Sequence, residues 1–292
     1  MFAGIELGGT KTVCAVGTCP TDLVAHTEFP TTEPEATLRE VTAFLQQHKF
    51  ERAGVAAFGP VDLRPHSKTF GHILKTPKEA WRGFDLVASL RSALDTEIRI
   101  DTDVGCAALG EMTWGAARGA QTFLYVTVGT GIGGGAYVNR QPLHGLLHPE
   151  MGHLRIPRDP GDAFPGSCPS HVDCLEGLAA GHSMEKRWGA PPRTLPPDHV
   201  AWALETRYLA TAVVNWLLTL SPECIILGGG IMEGISLDAL RARVLALLNG
   251  YCEAPPLLRP ALGRDSGVLG AIALAAEPAL RVTQAVLPPV IE

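Results

Sequence analysis

Four residues near the middle of the chain have the types and spacing of a metal site. Cys168, His171 and Cys174 form a C-x2-H-x2-C pattern, and His153 precedes them. Gaps of two residues let neighbouring donors converge on one tetrahedral ion about 2.0 to 2.3 Å from each, and mixed thiolate and imidazole donors favour Zn²⁺. The segment between His153 and Cys168 is rich in proline and glycine, so a metal would stabilise what burial cannot. A chance grouping of these residues is the alternative interpretation.

Two carboxylates flank the predicted metal ligands. Glu150 lies just before His153, and Glu176 lies just after Cys174. A ligating imidazole binds its metal through one ring nitrogen and leaves the other nitrogen for a second partner. We therefore expect His153 to face a substrate through its free nitrogen, with the two carboxylates accepting hydrogen bonds from substrate hydroxyl groups.

The composition excludes several classes of protein. At 292 residues and 46% hydrophobic, the chain is long enough for two lobes with hydrophobic cores. Its net charge is −6 and its 24 basic residues are scattered, which argues against nucleic-acid binding. Because neither a long apolar run nor a signal-peptide pattern occurs in the sequence, we expect a cytoplasmic protein without membrane contact. The seven cysteines are odd in number and mostly dispersed, so a disulfide framework is not expected.

A glycine turn near the N-terminus is the first candidate phosphate-binding element. Residues 2–7 and 12–17 have the pattern of two hairpin strands, and the turn between them consists of Gly8, Gly9, Thr10 and Lys11. Glycines let backbone N–H groups approach phosphate oxygens closely, while Thr10 and Lys11 add a hydroxyl and a charge. An ordinary hairpin turn explains the same residues.

A second glycine turn repeats this pattern in the second half of the chain. Strands are expected at 123–128 and 136–139, and the turn between them includes Gly129, Thr130, Gly131 and Gly133. Two such hairpins predict a duplicated fold with a phosphate between its halves. The turn also matches the dinucleotide fingerprint literally, but that fingerprint requires a helix to follow, so an NAD enzyme ranks below a phosphate-binding hairpin.

Two further strand ends are candidate ligand positions. Asp103 follows the strand predicted at 97–100 and begins a helix of small residues, where α/β folds place their ligands; a helix N-cap is the structural alternative. Gly228 and Gly229 follow the strand at 224–227 and offer bare backbone. The long segment from Gly59 to Trp81 fits a binding loop or a solvated excursion.

The remaining elements are mainly helices. A capping box at 32–35 predicts the start of one helix, and others are expected at 85–95, 198–220, 236–249 and 267–275. The proline-bearing tail after Glu277 is expected to be peripheral.

Six motifs in one order resemble a known family. IELGGTK, TDVGCAALGE, VTVGTGIGGG, HPEMGH, the C-x2-H-x2-C-LEGLAAG stretch and ILGGGIM span residues 4–232. Together they closely resemble the ROK family of bacterial sugar kinases, and its zinc-bearing fructokinases most of all. The resemblance implies an α/β, two-lobed, actin-like ATPase fold, which is a duplicated ribonuclease H-like architecture, with a structural zinc site. It also implies a homodimer.

The resemblance assigns roles to the candidate residues. It makes Asp103 the catalytic base and implies that Thr102, Glu150, His153 and Glu176 bind the substrate. The ATP-binding residues would be Gly8, Gly9, Thr10 and Lys11 in the first turn, Gly129, Thr130, Gly131 and Gly133 in the second, and Gly228 and Gly229 beside adenosine. The zinc ligands would be His153, Cys168, His171 and Cys174. The implied cofactors are ATP, Mg²⁺ and Zn²⁺.

The implied activity is ATP-dependent phosphorylation of a hexose, with D-fructose converted to fructose 6-phosphate as the first choice. Mannose, glucose and N-acetylmannosamine are the alternative substrates, and a non-catalytic sugar-binding ROK protein is the alternative class. The expected lobes are residues 1–115, with the first phosphate loop and Asp103, and residues 116–292, with the second phosphate loop, the zinc segment and the adenosine loop. The helix at 267–276 is a candidate for packing against the first lobe.

Three residues depart from the family pattern. Glu6 stands where most members have Asp, which lengthens a carboxylate expected to reach Mg²⁺ through water. Thr102 and Gly105 stand where Asn is common, so a sugar contact and the start of the following helix are expected to be weaker. The departures at Thr102 and Gly105 motivate the non-catalytic alternative.

Overall fold

A computed structural model describes residues 1–278 of the chain. The predicted peripheral tail falls almost entirely on residues 279–292, which lie outside the described residues.

Two five-stranded mixed sheets organise the described part of the chain, and they have the same strand order. The first sheet contains β1 (Phe2–Leu7), β2 (Lys11–Gly17), β3 (Leu23–Pro30), β4 (Arg52–Ala57) and β5 (Glu97–Thr102), in the order β3-β2-β1-β4-β5. The second contains β6 (Phe123–Val128), β7 (Ile132–Val138), β8 (Gln141–Pro142), β9 (Cys224–Gly228) and β10 (Leu257–Leu258), in the order β8-β7-β6-β9-β10. In each, a hairpin at the start of the half is followed by two parallel strands. The predicted duplicated α/β fold is confirmed.

Eight helices cover these sheets within residues 1–278. They are α1 (Pro34–Leu45), α2 (Leu86–Leu94), α3 (Asp103–Thr113), α4 (Leu175–Ala179), α5 (Gly181–Trp188), α6 (Val200–Leu220), α7 (Leu237–Leu248) and α8 (Ser266–Ala276). None of these described helices combines the length and the apolar character needed to cross a membrane. The longest, α6, buries Leu209, Val213 and Leu217 in the core of the second sheet.

Helix α8 follows the second sheet in the chain but packs on the first sheet. Its Val268 and Ile272 join Val13 and Ala15 of β2 in one buried cluster. The approach is close because β1 and β4 carry glycines there: a Cβ at Gly54 would overlap the carbonyl oxygen of Ala271. Glycine is the residue that permits such backbone-to-backbone contact. Helix α8 thereby connects the two halves.

The start of α1 differs from the expected capping box. The N-cap is Glu33, and its side chain makes no capping hydrogen bond. The Thr32 carbonyl instead accepts a hydrogen bond from the Trp81 indole at 2.8 Å, and the Thr32 amide donates to the Thr37 hydroxyl at 3.0 Å. The capping-box prediction is wrong, because the N-cap of α1 lies one residue after Thr32.

The segment between β4 and α2 is folded around one buried aspartate and is not a solvated excursion. The Asp62 side chain is fully buried and accepts hydrogen bonds from Arg64, Ser67 and Thr69 at 2.6 to 2.8 Å. Trp81, at the end of the segment, is 1% exposed. These contacts give the segment a defined shape beside the N-terminal glycine turn, where Lys78 lies next to Gly9.

Replacing Asp62 with alanine is expected to lower the free energy of unfolding by about 2 to 4 kcal/mol, because it leaves several donors unpaired. The hydrogen bonds from Arg64 hold the pKa of Asp62 well below its usual range. Its stabilising contribution is therefore present above pH about 4, the unfolded pKa, and is lost as the pH falls toward the folded pKa. Urea denaturation at pH 7 and pH 3 measures both effects. Glu79→Ala, on an exposed side chain of the same segment, is the control and should change stability little.

Candidate functional site

Asp103 is the first residue of α3 and does not serve as its N-cap. The cap is Thr102, whose hydroxyl oxygen accepts a hydrogen bond from the Gly105 amide at 2.9 Å. One oxygen of Asp103 accepts from the Val104 amide at 2.9 Å. Burial, reinforced by the charge of Asp101, raises the pKa of Asp103 to about 6. Its carboxylate is thus an ionised proton acceptor near neutral pH.

Asp103 opens onto a cavity of about 460 Å³ between the two halves. Glu6 and Lys11 of the first half line it together with Asp103. The second half and the loop before α8 provide Tyr125, Thr127, Leu227, Gly228, Gly229, Gly230, Glu233, Arg259, Pro260, Gly263, Arg264, Ser266 and Gly267. The structure therefore brings the predicted adenosine loop to the same space as Asp103.

Glu6 is a partly buried carboxylate that lines this cavity. Burial, with the charge of Asp103 adding to it, raises the pKa of Glu6 to about 7. Its Oε2 atom has no hydrogen-bond partner among the described residues. Lys11 lies close enough to lower this pKa in part, although its ammonium group also bonds Glu28 at 2.6 Å on the surface. An unpaired carboxylate oxygen beside a second carboxylate is the kind of environment that favours a divalent cation.

Hydrogen bonds within the turn and to Thr31 hold the first glycine turn in one conformation. The Gly8 amide donates to the Lys11 carbonyl at 3.0 Å, and the Thr31 hydroxyl donates to the Gly8 carbonyl at 2.8 Å. The Thr31 amide donates to the Thr10 carbonyl at 3.0 Å. Gly8, Gly9 and Thr10 do not line the 460 Å³ cavity, whereas Lys11 does.

The second glycine turn packs against the beginning of α5. The Gly129 carbonyl accepts from the Gly181 amide at 2.8 Å, and the Thr130 carbonyl bonds the His182 ring at 2.7 Å. The Ile132 amide, just past Gly131, donates to Glu176 Oε2 at 3.0 Å. Gly129 to Gly133 do not line the 460 Å³ cavity, but the turn adjoins a predicted substrate carboxylate.

Two of the predicted substrate residues, Glu150 and His153, lie beside each other at the metal cluster. The Nε2 atom of His153 is 3.9 Å from Glu150 Oε2. Burial, with the charges of Glu176 and Asp103 adding to it, raises the pKa of Glu150 to about 7. Three carboxylates from two halves of the chain therefore interact electrostatically, which makes a group of acceptors suited to a polyhydroxylated ligand.

His153, Cys168, His171 and Cys174 form a compact donor cluster. Their donor atoms all lie within 4.8 Å of one another. His153 Nδ1 is 3.5 Å from Cys174 Sγ and 3.7 Å from Cys168 Sγ, and His171 Nδ1 is 3.8 Å from Cys168 Sγ. Tetrahedral coordination with donors at about 2.0 to 2.3 Å implies separations of this size. The donor set fits a zinc ion, with Nδ1 of His153 toward the ion and Nε2 toward Glu150.

The segment that carries the ligands is also held by ion pairs that the sequence analysis missed. Asp162 is buried and bonds Arg187 at 2.9 Å and the Tyr208 hydroxyl at 2.5 Å. Asp159 bonds Arg207 at 2.5 Å. These partners belong to α5 and α6, so the ion pairs anchor this segment to both helices. Spacing along the chain gives no signal for pairs this far apart.

The lack of space around position 105 explains why a glycine occupies it. A Cβ at this position would lie 2.6 Å from Asp101 Oδ1 and 2.8 Å from the Thr102 hydroxyl oxygen. Asp101 is buried and pairs with His144 Nε2 at 3.1 Å. The expected loosening of the helix start is not observed, because Thr102 caps the helix and the Asp101 carboxylate fills the space that a side chain at position 105 would take.

The comparisons with known proteins agree with this architecture. The model of the ROK family matches residues 2–278. The chain belongs to the ROK family. Among ROK proteins, a fructokinase of Zymomonas mobilis is 40% identical over 290 residues, covering 94% of this chain and 96% of that one. A fructokinase of Pediococcus pentosaceus is 39% identical over 280 residues, covering 94% and 97%. The ROK hexokinase of Thermus thermophilus superposes with a TM-score of 0.78 at 27% identity, covering 94% and 97%.

Proposed function

We propose that this ROK protein transfers the γ-phosphoryl group of ATP to D-fructose and forms fructose 6-phosphate. The observation that carries the proposal is the near full-length likeness to two fructokinases at 40% and 39% identity. The cavity between the halves, which Asp103 lines, supports it independently. Phosphoryl transfer depends mainly on positioning and charge neutralisation, and a two-lobed cleft provides both.

ATP would enter the 460 Å³ cavity with its adenosine beside Gly228 and Gly229. The backbone amides of the two glycine turns and the Lys11 ammonium would hold the phosphates. Lys11 would exchange its exposed bond to Glu28 for a phosphate oxygen. Mg²⁺ would neutralise phosphate charge, and Glu6 with its unpaired oxygen would hold it through water, as the family resemblance suggests.

Asp103 would accept the proton of the attacking sugar hydroxyl. Its burial, and the raised pKa that burial causes, suit a general base near neutral pH. Glu150, Glu176 and Nε2 of His153 would bond other sugar hydroxyls. The Thr102 hydroxyl has used its oxygen on Gly105, so its hydrogen is free to bond the sugar.

Zinc would have a structural role. With four protein ligands, no position is left for a reacting water. The four residues would hold the ion, and His153 would join the metal cluster to the sugar site through its second nitrogen.

We also propose a cytoplasmic homodimer, by likeness to the family; light scattering at micromolar concentration measures the oligomeric state.

The test is turnover with Mg-ATP for fructose, mannose, glucose and N-acetylmannosamine, using zinc-replete protein. The expected result is the highest kcat/KM for fructose. A preference for another hexose would keep the kinase and replace the substrate, because epimer preference depends on small displacements of shared hydroxyl readers. ATP binding without turnover on any of the four would favour the non-catalytic alternative that Gly105 motivated.

A further inference from the structure

His148 is a buried histidine that links the two halves and has no part in the proposed chemistry. Its side chain is 5% exposed. Its Nε2 atom accepts a hydrogen bond from the Val61 amide at 3.2 Å, across 87 residues of sequence. Val61 belongs to the segment after β4 in the first half, whereas His148 follows β8 in the second half. Both ring nitrogens must be accounted for in such an environment.

The contact with Val61 determines which nitrogen carries the hydrogen. A backbone amide can only donate, so Nε2 must present its lone pair. The ring hydrogen of a neutral imidazole then resides on Nδ1. Burial lowers the pKa of His148, which is consistent with a neutral ring. The structure thus selects one tautomer without reference to the position of any hydrogen atom.

This hydrogen on Nδ1 lies near two acceptors, the Pro149 carbonyl and the Glu150 carboxylate. His148 Nδ1 is 3.6 Å from Glu150 Oε1, while His153 Nε2 is 3.9 Å from Glu150 Oε2. An imidazole therefore stands at each oxygen of the same carboxylate. Both separations exceed a direct hydrogen bond by about half an ångström or more, and contacts of this kind tighten when a substrate is bound.

The surroundings leave the ring little freedom. A Cβ on Gly59 would lie 3.2 Å from Cε1 of His148 and 3.8 Å from Glu150 Oε1. The backbone of the first half is therefore in close contact with both His148 and Glu150. Any displacement of the segment around Val61 moves the ring, and with it the donor that faces Glu150.

We propose that His148 is a positioning residue for sugar binding, which orients Glu150 through Nδ1–H and ties that carboxylate to the Val61 segment through Nε2. This role rests on the proposed function, because it acts through the sugar-binding role of Glu150. A histidine that only supports the fold would need the Val61 bond and an acceptor for Nδ1–H such as the Pro149 carbonyl, and its substitution would raise KM only together with a loss of Tm. The two roles therefore make different predictions for two substitutions.

Each of two substitutions keeps one of the two hydrogen-bonding functions of His148. In His148→Gln, the amide oxygen can reach the position of Nε2 and accept from Val61, but the donor to Glu150 is lost. In His148→Asn, the shorter amide can donate near the position of Nδ1, but the Val61 bond is lost. We expect the Gln variant to keep a near-normal Tm and to raise KM for fructose about tenfold or more, with KM for ATP changed less than about twofold. The Asn variant should show the lower Tm and the smaller rise in KM.

The proposed role is overturned if the variant with the larger loss of Tm also has the larger rise in KM for fructose. It is also overturned if KM for fructose and KM for ATP rise together in the same variant. A second readout does not depend on turnover: ¹⁵N chemical shifts of labelled histidines report the tautomer, and His148→Gln assigns the signal. The expected form carries its hydrogen on Nδ1, and a hydrogen on Nε2 overturns the role. If wild-type protein phosphorylates none of the four hexoses, the proposed function fails and this role with it; if it phosphorylates one, the comparison is made with that sugar.

Discussion

Replacing Asp103 with asparagine is expected to lower kcat by about 10²- to 10⁴-fold with a modest change in KM for the sugar. Asparagine keeps the size of the side chain and can still accept from the Val104 amide, so the start of α3 should persist. It cannot take the proton of the attacking hydroxyl. Asp95→Asn is the matched control, since Asp95 is an exposed residue at the end of α2 whose left-handed backbone asparagine tolerates. Near-full turnover by Asp103→Asn would show that another group is the base.

The same assignment predicts the pH dependence of kcat/KM. Burial raises the pKa of Asp103 to about 6, and only the ionised form accepts a proton. Activity should therefore rise with pH up to about 6 and lose this dependence in Asp103→Asn. Glu150, with a pKa of about 7, provides a second titration in the same range; it should remain in the variant but shift to lower pH, because the Asp103 charge that helps to raise the pKa of Glu150 is lost.

Loss of the metal is expected to have the second largest effect. Cys174→Ser, or treatment with a strong chelator, should expose residues 148–176 to protease and raise KM for the sugar at least about tenfold, with a smaller effect on KM for ATP. The reason is that we propose His153 both as a metal ligand and as a sugar-binding residue beside Glu150. The ion pairs of Asp159 and Asp162 should keep the rest of the second half folded.

The second part of this prediction is the zinc content of each protein, which mass spectrometry measures. We expect about one zinc per chain in the wild type and in Cys19→Ser, whose cysteine is outside the cluster, and none in Cys174→Ser. Zinc content and sugar affinity that vary independently among these proteins would contradict a structural role for the ion at the sugar site.

The sequence predicted those features whose determinants are local. The two hairpins follow from pairs of strands around glycine turns, and their repetition predicted a duplicated fold; the shared strand order of the two sheets was not predicted. The C-x2-H-x2-C spacing brings its donors together because the backbone between them makes a tight turn, with mutual hydrogen bonds between Cys168 and Val172 and with Val172 at a φ of 61°.

Features that depend on long-range contacts were not predictable. The Thr32 capping box is not formed: the N-cap of α1 is Glu33, and Trp81, 49 residues away, donates a hydrogen bond to the Thr32 carbonyl. The pair of Asp101 with His144 and the bond from Val61 to His148 join the two halves of the chain, and no periodicity marks them. Glu111 is a further example: it is fully buried at the end of α3 and accepts from Ala261, Leu262 and Ser266 at 2.9 to 3.0 Å, which secures one wall of the cavity.

The most direct test is to follow the reaction product by NMR. Protein, Mg-ATP and uniformly ¹³C-labelled fructose are mixed, and ¹³C and ³¹P spectra are recorded with time. We predict that a phosphate group becomes attached to carbon 6 of fructose at the rate at which ADP forms. Formation of ADP and inorganic phosphate without a phosphorylated sugar, or no change in ATP at all, would contradict the assignment of this chain as a fructose kinase.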